Sequence, residues 1–125
     1  MSSTSAGLGI PPPSISGIIG IVKAYCSRVG EGPFPTELSQ PLYDILQKKG
    51  GEYGTTTGRA RRVGWLDIPQ LRYALLLNGV NVINLTKLDV LTGFEEVKVG
   101  VRYRLNGKVV EHMPANINEF SKVWR

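Results

Sequence analysis

Apolar residues recur at helical spacing in three places along this chain. Ile15, Ile18, Ile19, Val22 and Tyr25 form the first stripe. They predict a helix capped by Ser14 or Ser16 and softened at Gly17 and Gly20. The β-branched content would also suit a strand, but the spacing favours the helix. Lys23, Arg28 and the Gly30/Gly32 pair close the element with cationic and flexible residues. A second helix is predicted after Ser39 and Pro41, with Leu42, Ile45 and Leu46 on one face and Lys48-Lys49 then Gly50-Gly51 at its end. Asp67 caps a third, which has Pro69 in its first turn and a stripe of Ile68, Leu71, Ala74 and Leu75 before Gly79.

Beyond Gly79 the period shortens. Val80, Val82, Ile83 and Leu85 make a short apolar run typical of a buried strand. Val97, Val99, Val101, Tyr103 and Leu105 then alternate with Lys98, Gly100, Arg102 and Arg104, giving one apolar and one basic face. Asn106-Gly107 is a strong type I′ hairpin signal. A two-residue turn there sets Tyr103 opposite Val110 and Arg102 opposite Glu111. His112 reads as a residue of the hairpin strand. The last ten residues read as irregular, with Trp124 in need of a surface to pack on. Pro11-Pro12-Pro13 reads as extended, and Val29 to Glu37 as a loop stiffened by prolines and loosened by glycines. The fold class expected is α/β: part of a largely parallel sheet with flanking helices, plus an antiparallel β-hairpin.

Composition narrows the choice of partner. The 125 residues suffice for one modest core and show no internal boundary, so residues 1–125 read as a single segment. A net charge of +5 favours anionic ligands. One cysteine, Cys26, rules out an intrachain disulfide and a multi-cysteine metal site. No apolar run approaches membrane-spanning length. The opening Met-Ser-Ser-Thr-Ser-Ala-Gly lacks a basic stretch and an adjoining apolar core, so no signal peptide is expected. These bounds suggest a soluble, cytoplasmic, anion-binding protein.

Two stretches carry candidate chemistry. In Gly54-Thr55-Thr56-Thr57-Gly58-Arg59-Ala60-Arg61-Arg62, consecutive threonines offer hydroxyls and backbone N–H groups between glycines that permit a tight bend. The arginines that follow are planar forks suited to carboxylate or phosphate. Thr86-Lys87-Leu88-Asp89 stands at the C-terminal end of a predicted strand, where ligands of open α/β sheets usually sit. It resembles the guanine-reading motif of GTP-binding proteins. There an aspartate accepts from the ring N–H and the amino group of guanine, a donor pair that adenine lacks.

These stretches, with Lys23-Ala24-Tyr25, Arg28-Val29-Gly30, Gly32-Pro33-Phe34-Pro35-Thr36-Glu37 and Gly64-Trp65-Leu66-Asp67, resemble adenylosuccinate synthetase in order and separation. The resemblance runs from about Gly7 to the hairpin. It implies a P-loop-NTPase-like synthetase fold, incomplete here, and a GTP-dependent ligase that joins L-aspartate to IMP in purine nucleotide biosynthesis. It also implies that Thr55, Thr56, Thr57, Gly58, Arg59, Ala60 and Arg61 form a loop closing on aspartate, although Ala60 stands where some relatives carry a basic residue and takes no role of its own. Arg59 is expected to reach aspartate and the IMP ribose. Arg61 is expected to meet the GTP side, and Val29 to lie against the IMP ribose. Lys87, Leu88 and Asp89 are expected to read guanine.

The resemblance further implies Mg2+ as cofactor and a homodimer for the complete enzyme, with no membrane or nucleic-acid partner. No stretch resembles the family's glycine-rich phosphate loop, and no residue matches its catalytic aspartate, catalytic histidine, IMP-phosphate contacts, metal ligands or second guanine loop. The chain is therefore expected to be an interior part of a longer enzyme, inactive and poorly folded alone. Two other classes remain: a non-catalytic, partner-dependent remnant, and a nucleic-acid module using the Lys98/Arg102/Arg104 face. That face lacks an array of stacking aromatics.

Overall fold

The computed structural model describes residues 3–120. Its elements are α1 (Thr4–Leu8), β1 (Ile19–Lys23), β2 (Tyr25–Arg28), α2 (Leu42–Gly50), β3 (Arg62–Asp67), α3 (Ile68–Asn78), β4 (Val82–Thr86), β5 (Val99–Gly100), β6 (Tyr103–Leu105), β7 (Lys108–Val110) and α4 (Ile117–Phe120). The architecture is mixed α/β, with parallel pairs, flanking helices and an antiparallel hairpin.

The first predicted helix does not form; its residues make β1 and β2. β1 pairs in parallel with β4 from Ile19↔Val82 to Lys23↔Thr86. A helix here would carry the propensity cost of Gly17 and Gly20 and of the β-branched residues. The strand instead collects a full ladder of hydrogen bonds from a partner more than sixty residues away. Tyr25 and Cys26 then turn onto β3, where Tyr25 opposes Trp65 in an antiparallel register. β3 also pairs in parallel with β5 through Leu66↔Val99 and Asp67↔Gly100.

The other two helices stand where their periodicity puts them. Asp67 accepts the Gln70 amide at 3.0 Å to cap α3, and Gly51 and Gly79 end α2 and α3 in the left-handed conformation. Burial is less generous than their stripes suggest. Only Leu46 of the α2 face is fully enclosed, while Leu42 and Ile45 stay exposed. The core gathers Leu46 with Ala24, Tyr25, Leu38, Val63, Trp65, Val90 and Leu91, and Tyr43 and Phe94 pack against it. Trp65 and Phe94 meet edge to face at 6.0 Å.

β4 departs from the expected buried strand. Val82, Ile83 and Leu85 are all exposed, because β4 has one neighbour and no layer of the described residues lies over it. The long alternating strand at 97–105 is also divided. Its first part joins β3 and its second turns back as the β6–β7 hairpin, so Val97, Val99 and Val101 remain exposed while Tyr103 is buried.

The hairpin itself follows expectation. Asn106 and Gly107 adopt φ of 50° and 79°, Tyr103 opposes Val110, and Arg102 Nε lies 3.2 Å from Glu111 Oε1. His112 is not a strand residue; it lies in an exposed bend beyond β7. Near the ends, α1 forms in the small-residue opening, and Pro12–Ser14 make a 3-10 turn after an extended Pro11. α4 gives the expected irregular tail one helical turn, and Phe120 packs on Tyr103 with ring centroids 5.7 Å apart. Trp124 lies outside the described residues.

Candidate functional site

The site is built on the stem beneath the Thr/Arg turn. Arg61 N donates to Glu52 O at 2.9 Å, and Tyr53 pairs with Ala60 across an antiparallel bridge. Above them Gly54 N donates to Arg59 O and Gly58 N to Gly54 O, each at 2.8 Å. Thr57 Oγ1 accepts the Arg59 amide at 3.4 Å. These bonds close the backbone of the turn while Thr55, Thr56, Thr57, Gly58, Arg59 and Ala60 remain exposed to solvent.

Glu52, at the foot of the stem, is 1% exposed. Its Oε1 accepts from Lys23 Nζ at 2.9 Å and from the Tyr25 hydroxyl at 2.7 Å. Its Oε2 accepts from Arg61 Nη1 at 3.2 Å. Lys87 Nζ lies 3.9 Å from Oε1 and donates to Gly50 O at 2.7 Å. Burial alone would raise the Glu52 pKa, but the bonds from Lys23, Tyr25 and Arg61 outweigh it and hold the carboxyl down to about 2. Burial and the same carboxylate push the Tyr25 hydroxyl well above its ordinary value. Three cations thus gather around one anion, leaving positive charge at the C-terminal ends of β1 and β4, where Lys23 and Thr86 are register partners.

The remaining candidates are placed as follows. Lys87 follows β4 directly, with φ 59°. Leu88 and Asp89 are exposed, and Asp89 opens a 3-10 turn whose Val90 and Leu91 enter the core. The turn is therefore anchored behind the side chains that face outward. Val29 is exposed and belongs to a different anchorage. Arg62 grips the Val29–Glu37 loop: its Nε and Nη2 reach Glu37 at 2.6 and 2.5 Å, and its Nη1 reaches Gly30 O and Gly32 O at 3.2 and 2.9 Å. The Phe34 ring lies 5.5 Å from its guanidinium carbon. The structure therefore joins Arg61 with Lys87 through Glu52 and holds Val29 separately through Arg62.

Sequence reasoning missed Glu52, and it noted Lys23 and Tyr25 only as parts of a predicted helix and of a resemblance. The available signal was an isolated acid placed immediately before a cation-rich turn. A second buried carboxylate, Asp67, accepts the Tyr103 hydroxyl at 2.6 Å besides its capping bond. Among the described residues no cation pairs with it, and burial raises its pKa. Burial likewise raises the Cys26 thiol, which makes it a poor nucleophile. Clefts of about 460 Å³ beside Cys26 and Arg28, and of about 520 Å³ beside Thr36 and Trp65, include no residue of the Thr/Arg turn or of Lys87–Asp89.

A closed Thr/Arg turn is thus set on a buried carboxylate, next to the carboxyl ends of parallel strands. Comparison with known proteins identifies the family of the chain. The family profile described as adenylosuccinate synthetase matches residues 1–124. The chain is 62% identical over 117 residues to the adenylosuccinate synthetase of Paramecium tetraurelia, covering 94% of this chain and 27% of that protein. It is 59% identical over 117 residues to the Phytophthora infestans synthetase, covering 94% and 21%. Among solved structures, a fully ligated adenylosuccinate synthetase from Plasmodium falciparum superimposes with a TM-score of 0.91 at 42% identity, covering 99% of this chain and 30% of that one. This chain belongs to the adenylosuccinate synthetase family. It spans about a quarter of the length of the relatives it matches.

Proposed function

We propose that these residues form the aspartate-loop and guanine-reading part of an adenylosuccinate synthetase, a cytoplasmic, homodimeric ligase that uses GTP to join L-aspartate to IMP. In that reaction the γ-phosphoryl group of GTP moves to the 6-oxygen of IMP, giving GDP. The aspartate amine then attacks C6, the C6–O bond breaks, and phosphate leaves. The observation that carries the reading is the convergence of the turn's stem and the lysine of the guanine motif on Glu52.

Within this reading Thr55, Thr56, Thr57 and Gly58 present hydroxyls and N–H groups to the aspartate carboxylates. Arg59 spans aspartate and the IMP ribose. Arg61 steadies charge on the GTP phosphates, and Val29 packs on the IMP ribose. The Lys87 stem and Leu88 lie along the purine, and Asp89 accepts from guanine's two donors. An exposed loop that orders on an anionic substrate excludes water and aligns the amine for attack. The Mg2+ implied by GTP chemistry finds no holder here: among the described residues no three His, Cys, Asp or Glu side chains are grouped to bind a metal. We route no step through it.

A nucleic-acid reading draws little support from the basic strand face. Arg102 is paired with Glu111, and Lys98 lies 3.5 Å from Glu96. Among the described residues no helix is long and apolar enough to cross a membrane.

The test is a chimera in which this segment replaces its counterpart in the Paramecium tetraurelia synthetase. It should make adenylosuccinate with GTP and not with ATP, and Asp89→Asn should raise the KM for GTP at least tenfold, the loss of one charge-assisted hydrogen bond. A folded chimera without turnover would refute the proposal.

A further inference from the structure

We infer that Glu52 is a positioning residue that sets Arg61 and Lys87 relative to one another, and so couples the aspartate loop to recognition of the nucleotide. The inference deepens the function proposed above and rests on it.

Glu52 reaches both sides of the site. Through Oε2 it holds the Arg61 guanidinium, and through its backbone carbonyl it holds the Arg61 amide, so the end of the Thr/Arg turn is fixed at two points. On the other side, Lys87 leaves β4 in the left-handed region, a conformation that carries a steric cost for any residue but glycine. Its ammonium offsets that cost by donating to Gly50 O, at the negative end of α2, close to Glu52 Oε1. Gly50 and Glu52 together form one bracket on which the guanine loop docks, and the same bracket begins the aspartate loop. There is no slack in it: a side chain at Gly50 would collide with the Tyr25 hydroxyl, which is itself bonded to Glu52.

The charge balance points the same way. Lys23, Arg61 and Lys87 around a single carboxylate repel one another unless Glu52 is ionised. A neutral isostere leaves the cations close together, with weaker acceptors in place of the anion. Arg61 and Lys87 then relax apart. Because one belongs to the aspartate loop and the other to the guanine loop, both substrates lose fit at once. Val29, fastened through Arg62, does not move with them.

The experiment is steady-state kinetics on the Paramecium chimera carrying Glu52→Gln. The KM for GTP and the KM for aspartate should each rise roughly tenfold, the scale of one weakened charged hydrogen bond. The KM for IMP, which the loop reaches only through Arg59 and which Val29 meets independently, should rise less than either, and Glu52→Asp should recover part of both losses. Unchanged KM values, or a fall in kcat alone, would overturn the inference, because a merely structural residue would not split the substrates this way. If Glu52→Gln does not fold, Tyr25→Phe removes one bond to Glu52 without touching a cation. It should raise the same two KM values about threefold, and no change would again overturn the inference. An unmutated chimera that folds but does not turn over removes the reading of the site, and this inference falls with it.

Discussion

β2 and β3 with α2, and β1 and β4 with α3, are two assemblies of similar size with opposite fates. In the first, Tyr25, Leu46, Val63 and Trp65 close on one another and on a buried glutamate. In the second, Ile21 is 69% exposed and Leu76 79% exposed, on elements no less apolar in sequence. The difference lies in what covers them. α2 and the turn after β4 lie over β2 and β3, whereas among the described residues nothing covers the outer faces of β1 and β4. A strand pair with its apolar faces open is marginal in water. The site straddles both assemblies: Tyr25 and Arg61 come from the closed one, and Lys23 and Lys87 from the open one.

The largest test of that contrast is Leu46→Ala. It should cost about 2–5 kcal/mol in the chimera by denaturant unfolding, because the cavity would lie in a core that cannot collapse around it. Acid comes next. Glu52 titrates near 2 when folded and near 4.5 ordinarily, so its stabilisation is complete above about pH 4.5 and fades as the pH falls toward 2. The loss should total about 3 kcal/mol and vanish in Glu52→Gln. Asp67 works with the opposite sign: burial raises its pKa, so protonation relieves a cost and adds stability as the pH drops. The smallest effect is expected at Ile21→Ser, within about 0.5 kcal/mol in the 125-residue chain. A larger loss there would show that the β1–β4 face is covered after all, and a larger loss in the chimera alone would show that the rest of the enzyme covers it.

Local chemistry was legible wherever a short range decided it. The Asp67 cap, the left-handed glycines that end α2 and α3, and the Asn106-Gly107 turn with its Tyr103–Val110 and Arg102–Glu111 pairs all stand as expected. The order of motifs led to the family, and the match of the family profile to residues 1–124 bears that out. The segment from Ile15 to Tyr25 was misjudged because its spacing fits a helix while its β-branched content suits a strand. A strand won through a distant partner that the local pattern does not display.

The sequence by itself determined the caps, the turns, the two later helices and the identity of the candidate anion-binding side chains. Each of these depends on a residue and its near neighbours. Tertiary structure alone decided that β1 would be a strand, that Arg62 would clamp a loop while Arg61 faced the site, and that Glu52 would be the meeting point. A buried carboxylate stays ionised when cations and hydrogen-bond donors surround it, and here the cations come from residues 23, 61 and 87, which only folding brings within reach.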